Sequence, residues 1–190
     1  MKIVFATNNV HKLSEVKAVL GEGFELVTLK EVGITEDIPE TGETLDENAS
    51  IKARYVYERT GLDCFADDTG LEVAALNGAP GVRSARYATD GHDFAANNRK
   101  LLREMEGVAD RSARFRTVIS LIINGEEQQV EGIVRGTIAT EEAGCEGFGY
   151  DPLFIPEGKS VTFAEMSADA KNAISHRGRA VAELVKILKK

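Results

Sequence analysis

At 190 residues, with 43% apolar and 28% charged residues, the chain can bury a sizeable core without disulfides or a structural metal. No apolar run approaches the ~20 residues that span a bilayer, and one lysine followed by Ile3-Val4-Phe5-Ala6 is too short for a signal-peptide core, so one cytoplasmic domain over residues 1–190 is expected. The 23 basic residues against 31 acidic ones give a net charge of −8, which opposes long-range attraction to DNA or RNA; a phosphate ligand must be met by local cations, helix amino termini or a metal.

Residues 2–6 read as a short buried strand, and after the break at Thr7-Asn8-Asn9 the spacing of Leu13, Val16, Val19 and Leu20 predicts a helix over 11–20. A second strand at 25–29 follows Gly21-Glu22-Gly23, and 31–42 is a polar connection containing Pro39. A helix is predicted over 44–60, closed by Gly61, then a strand over 63–66 that ends in Asp67-Asp68-Thr69-Gly70. Past the Gly/Pro-rich stretch 77–81, residues 92–106 look helical through Phe94, Ala95, Asn98, Leu101, Leu102 and Met105. Residues 114–123 and 130–138 flank Asn124-Gly125, the favoured type I′ pair, and form the clearest hairpin signal. A strand with its approach loop at 148–155 and a helix over 175–188 complete an α/β fold, a mixed sheet with flanking helices. Cys64 and Cys145 are isolated, as expected of core thiols in a reducing compartment.

Five places carry candidate chemistry. Thr7-Asn8-Asn9, leading to Lys12 where a strand turns into a helix, suits phosphate; the same residues are also ordinary helix-capping types. Neither a Walker loop nor G-x-G-x-x-G occurs. On the helix from residue 44, Leu45, Ala49, Ala53 and Val56 define an apolar face that also includes Asn48 and Lys52. An amide and a charge facing a core need partners, so they either line a cleft or form a structural network. Asp67-Asp68 at a strand end, with Glu40 upstream, offers oxygen ligands suited to magnesium, or else an Asx turn with Asp68 as a cap. Phe148-Gly149-Tyr150-Asp151 fits either a base-stacking wall or a strand edge. Lys171 with Ser175-His176-Arg177 fits a capped helix with a solvated basic face, or a donor cluster for a 6-oxo group and phosphate.

Together these motifs resemble the inosine triphosphate pyrophosphatase family. The resemblance rests on Thr7-Asn8-Asn9-x-x-Lys12, Thr41-Gly42-x-Thr44-x-x-Glu47-Asn48-Ala49-x-x-Lys52-Ala53, Ala66-Asp67-Asp68-Thr69-Gly70-Leu71, Phe148-Gly149-Tyr150-Asp151-Pro152 and Ser175-His176-Arg177-Gly178. Thr69 stands where many members have serine and keeps the hydroxyl. The resemblance implies an elongated two-lobed fold with a central cleft, a homodimer, and hydrolysis of dITP, ITP and XTP to the monophosphate and pyrophosphate with Mg2+ as cofactor. It makes Thr7, Asn8, Asn9, Val10, His11 and Lys12 the triphosphate loop, Asp68 the proton acceptor, and Asp68 with Glu40 the metal carboxylates. Lys52 would contact the phosphates as a second catalytic residue, Thr69 the substrate, and Phe148, Gly149, Tyr150, Asp151, Lys171, His176 and Arg177 would form the base pocket.

A 6-oxo purine presents an acceptor where adenine presents an amino donor, so a site with donors there can reject ATP by a factor on the order of 10⁴. Two rival readings stay open: a pyrophosphatase for modified pyrimidine nucleotides, as in the related Maf-type proteins, and a non-catalytic nucleotide-binding module.

Overall fold

Ile3, Val4, Phe5 and Ala6 are all buried because their side chains alternate between two cores: Ile3 and Phe5 join Val16, Leu20, Phe65, Ala180 and Leu184, while Val4 and Ala6 join Ala53, Val56, Cys64 and Ala66. A strand covered on both faces reads as an unbroken apolar run. In the computed structural model, which describes all 190 residues, this run is β1 (Lys2–Phe5) of a six-stranded sheet with β2 (Glu25–Val27), β3 (Cys64–Val73), β4 (Ser112–Ile123), β5 (Glu126–Ile138) and β6 (Phe154–Pro156). The strand order is β2-β1-β3-β4-β5-β6. β1 pairs in parallel with β2 and β3, and β6 pairs antiparallel with β5, so the sheet is mixed as expected. The helices are α1 (Val10–Leu20), α2 (Leu45–Thr60), α3 (Phe94–Glu104), α4 (Ala168–Ile174) and α5 (His176–Leu188).

Two compact units divide the chain. The first comprises Met1–Asp68, Thr117–Gly132 and His176–Lys190, and the second Thr69–Arg116 and Ile133–Ser175, so β3, β4 and β5 each supply residues to both. In the first unit α1 packs on α5, and Phe5 stacks on Phe65 with ring centroids 4.6 Å apart. The second unit is built around Leu71, Val73, Leu101, Phe115, Tyr150, Phe154 and Phe163, with the Phe115 and Phe154 rings 4.6 Å apart.

α2 begins and ends at the residues its sequence signals mark. Thr44 caps it by accepting from the Glu47 N–H at 3.1 Å, and Gly61, at φ +67°, closes it with its N–H donating to the Tyr57 carbonyl. The hairpin turn likewise has Asn124 and Gly125 at φ +50° and +83°, both positive as a type I′ turn requires. Four expectations are corrected. Cys64 is buried as expected of a core thiol, but Cys145, in the loop between β5 and β6, is exposed. The strand predicted over 63–66 continues as β3 to Val73, carrying Asp67-Asp68 inside the sheet instead of at its end, since the alternation of buried Leu71 and Val73 with half-buried Glu72 sustains the extended chain. The strand predicted over 148–155 shrinks to β6, because Gly147 and Gly149, at φ +72° and +61°, fold residues 147–153 into turns. α4, absent from the predicted elements, is a seven-residue helix capped by Ser167, whose side chain accepts from the Ala170 N–H at 3.1 Å.

Gly132 of β5 lies directly under the first turn of α5: a Cβ there would sit 2.1 Å from the His176 carbonyl oxygen and 2.4 Å from the Ala180 nitrogen. Both are backbone atoms, so only displacement of the helix makes room. Gly132→Ala is therefore expected to destabilise the protein by about 1–3 kcal/mol, read as a lower Tm in thermal unfolding, and to lower activity through the displaced Arg177.

Candidate active site

Asp67 and Asp68 are adjacent on β3 and point to opposite faces of the sheet, as strand geometry requires. Asp67, 1% exposed, meets the Lys12 Nζ at 3.2 Å and the Arg177 Nε at 3.2 Å, while its main-chain carbonyl accepts from the Lys52 Nζ at 2.5 Å. Arg177, 2% exposed at the start of α5, completes its guanidinium pairing with Glu15 of α1, Nη1 to Oε1 at 2.6 Å. Lys52 also reaches Glu40, Nζ to Oε1 at 3.1 Å. Three cations and four carboxylates of the first unit, Lys12, Lys52 and Arg177 with Glu15, Glu40, Asp67 and Asp68, thus form one charged array.

The array drives its members' pKa values apart. Burial alone would raise Asp67, but Lys12, Arg177 and Lys52 outweigh it and hold the carboxyl far below the usual range. Asp68, whose burial outweighs the pull of Lys52 and Lys12, is raised. Burial lowers Lys12 despite Asp67 beside it. Lys52 is also desolvated, yet Asp68, Glu40 and Asp67 together hold it above its ordinary value. Burial would raise Glu40 too, but Lys52 pulls it down.

The Thr7-Asn8-Asn9 loop is built by its own side chains. Asn9 caps α1, its Oδ1 accepting from the His11 and Lys12 N–H groups at 3.0 and 3.2 Å, and the Thr7 Oγ1 accepts from the Asn9 N–H at 3.1 Å. The capping reading is therefore correct as geometry. The loop also delivers Lys12 to the array, and both Val10, 70% exposed, and His11 lie on the surface. Asn48 and Lys52 on α2's inner face both find partners, as a buried amide and a buried charge must. The Asn48 Oδ1 accepts from the Gly42 N–H at 2.8 Å and shapes the loop that follows Glu40, whereas Lys52 joins the array. Sequence reasoning missed Asp67 as an anchor and Glu15 altogether. A doublet of acids beside a buried strand was the signal for the first; Glu15 gave none.

Of the residues expected around the base, Phe148, Gly149, Tyr150, Asp151 and Lys171 belong to the second unit. The Lys171 Nζ of α4 donates to the Asp151 Oδ2 at 2.6 Å and lies 5.0 Å from the Phe148 ring centroid, and the same Oδ2 accepts from the Phe148 N–H at 3.0 Å. Tyr150 donates its hydroxyl proton to the Ser84 carbonyl at 2.6 Å. Thr69 is the first residue of this unit, half-buried on β3. His176 and Arg177, expected with this group, belong by chain to the first unit, where Arg177 is an anion-paired member of the array. A cavity of about 690 Å³ elsewhere in the second unit, lined by Glu72, Arg114, Arg135 and Lys159 among others, includes none of the expected site residues.

A buried array of lysines, an arginine and carboxylates on an α/β sheet is chemically suited to phosphate. The chain matches the Ham1 family over residues 3–187 and belongs to it. It is 55% identical over 184 residues to the dITP/XTP pyrophosphatase of Porphyromonas gingivalis, covering 96% of this chain and 95% of that one. It is 52% identical over 190 residues to the dITP/XTP pyrophosphatase of Christiangramia forsetii, covering both in full. The Ham1 protein structures from Staphylococcus aureus and Coxiella burnetii each superpose with a TM-score of 0.91, at 38% and 42% identity, covering all of this chain and 98% of each of theirs.

The Asp67 carboxylate makes a pH-dependent contribution to stability. Its folded pKa lies below the unfolded value near 3.8, so the stabilisation is complete above that value and lost as pH falls through the folded pKa. Asp67→Asn leaves Lys12 and Arg177 short of a counter-charge. It is expected to cost about 3–5 kcal/mol at neutral pH, with the gap from wild type closing in urea titrations carried out progressively below about pH 4.

Proposed function

We propose that this enzyme hydrolyses non-standard purine nucleoside triphosphates, dITP, ITP and XTP, to the nucleoside monophosphate and pyrophosphate. The observation that carries the chemistry is the contrast between the two aspartates, one locked ionised by cations and the other raised and set beside them. The substrate class follows from the dITP/XTP pyrophosphatases that match the whole chain.

Asp68 accepts a proton from the water that attacks the α-phosphorus. A new P–O bond forms to that water oxygen, and the bond from the α-phosphorus to the oxygen bridging to the β-phosphorus breaks, releasing pyrophosphate with the bonding pair. Lys12 and Lys52 offset the charge that grows on the leaving pyrophosphate; both are desolvated, where each charge acts most strongly. A carboxylate with a raised pKa is a better base than an exposed aspartate, and it must be ionised to act.

Asp68 and Glu40 act on one another electrostatically, and two carboxylates suffice for magnesium, which keeps several waters and takes phosphate oxygens, although no group of three or more His, Cys, Asp or Glu side chains is present. The array's charge balance points the same way, because its three cations are already offset by four carboxylates and a triphosphate needs further positive charge. Bound by Asp68 and Glu40, the ion would lower the pKa of a water and neutralise phosphate charge. A homodimer in the cytoplasm completes the reading on the strength of the family resemblance; no helix is long and apolar enough to cross a membrane.

The decisive test is pyrophosphate release from dITP, ITP, XTP, dGTP, ATP and dUTP with and without magnesium. The 6-oxo substrates other than guanine are expected to lead, only with the metal present; preferential cleavage of dUTP, or tight ITP binding without release, overturns the proposal. Asp68→Asn is expected to keep the wild-type circular dichroism spectrum and lose turnover by at least ~10²-fold. In the wild type, kcat/KM should fall on the acid side through a pKa above 3.8, the ordinary value for aspartate, and on the alkaline side through one below 10.5, the ordinary value for lysine, as Lys12 loses its proton.

A further inference from the structure

Asn98, in the middle of α3, is 3% exposed, a position an apolar residue would fill at less cost. Its side-chain Nδ2 donates to the Gly149 carbonyl at 2.9 Å, and its Oδ1 is sealed from solvent with no donor in reach. A buried amide oxygen left without a donor is unfavourable, and native structures keep few of them without a reason. The amide cannot be turned round to relieve it, since Oδ1 would then face the Gly149 carbonyl. The one thing this side chain accomplishes is the hydrogen bond to Gly149.

The turn it grips is otherwise fixed on either side of that peptide. Phe148 is tied by its N–H to the Asp151 Oδ2, and Tyr150 by its hydroxyl to the Ser84 carbonyl. Between them Gly149 is at φ +61°, where the backbone of a glycine has most freedom and no side chain to hold it. Phe94 lies one helical turn before Asn98 on α3, and its ring packs on Phe148 with centroids 6.0 Å apart. α3 therefore holds the turn by a ring and by an amide spaced four residues apart, and these set the plane and the backbone of the aromatic wall expected to face the base.

We propose that Asn98 is a positioning residue for base recognition: by fixing the Gly149 carbonyl it holds Phe148 and its neighbouring peptide groups in the arrangement that discriminates a 6-oxo purine. This rests on the function proposed above. Asn98 touches no reacting group, so its loss acts on the base and leaves the array of the first unit as it is.

The test compares wild type with Asn98→Leu, which removes both the hydrogen bond and the unpaired oxygen at similar volume, measuring KM, kcat and the ratio of kcat/KM for dITP over dATP. Asn98→Leu is expected to melt at or above the wild-type temperature, to raise KM for dITP about tenfold with kcat little changed, and to shrink the dITP/dATP ratio by a similar factor. Should Asn98→Leu fail to fold, Asn98→Ser, too short to reach Gly149, carries the same expectation for KM and selectivity. Unchanged KM and selectivity, or a loss shared equally by both nucleotides with a lowered Tm, overturns the positioning role while the proposed reaction stands. A wild type that neither cleaves nor binds dITP removes the reaction itself, a result distinct from either.

Discussion

Everything in the first unit is arranged around the buried charge of Asp67. A carboxylate at 1% exposure is tolerable only if cations come to it, and three do: Lys12 from the start of α1, Lys52 from the inner face of α2 and Arg177 from the first turn of α5. Each belongs to a different helix: the carboxylate ties α1 and α5 to the sheet directly, and Lys52 ties α2 to the same residue through its main-chain carbonyl. Glu15 then takes the second edge of the Arg177 guanidinium, which links α1 to α5 by polar as well as apolar contact. A cluster held this way is preorganised. Its dipoles and charges do not have to reorient when a phosphate arrives, which is the condition under which such groups assist a reaction most.

The same strand separates two roles by a single residue. Asp67 and Asp68 share a sequence environment, but the pleat sends them to different faces, and their protonation behaviour diverges accordingly. Asp67 is surrounded by cations and is a poor base, because Lys12, Arg177 and Lys52 lower its affinity for a proton. Asp68 is desolvated more than it is compensated and retains affinity for a proton. The anchor and the proposed base are thus neighbours, and exchanging one for the other is not possible by a small shift, since moving the strand by one residue would invert both faces at once.

How much of this was legible in the sequence depended on the range of the interaction. α2, with Thr44 and Gly61 at its ends, and the hairpin turn at Asn124-Gly125 follow from local stereochemistry and were read correctly. Lys52 was legible as an anomaly on an apolar face, because helical periodicity is local too. Arg177 and Asp67 lie 110 residues apart, and nothing in either segment announces the other, so Asp67 reads with Asp68 as a metal carboxylate pair or an Asx turn, and Arg177 as part of the base pocket or of a solvated face, neither as the other's partner. The premature end assigned to β3 had the same origin: two adjacent acids argue against a buried strand unless their distant partners are known. α4 was missed because seven residues, four of them exposed, carry too little periodicity to read.

At the turn of residues 147–151 a glycine is required by what lies beside it. A Cβ on Gly147, already at φ +72°, would stand 2.1 Å from the Asp151 Oδ2, the oxygen that accepts from both the Phe148 N–H and the Lys171 ammonium. Any larger residue there would push that oxygen from both donors together, so the glycine protects a hydrogen-bonded carboxylate as well as a backbone angle. Lys171 in turn lies near the rings of Phe148 and Phe163, at 5.0 and 5.7 Å from their centroids, and shares its charge between a carboxylate and two aromatic faces. An ammonium held in this manner cannot swing toward solvent without losing all three contacts. The turn is consequently stiff because a small residue, an acid and a cation constrain one another, and such stiffness is what the proposed refusal of a purine on a single exocyclic group requires.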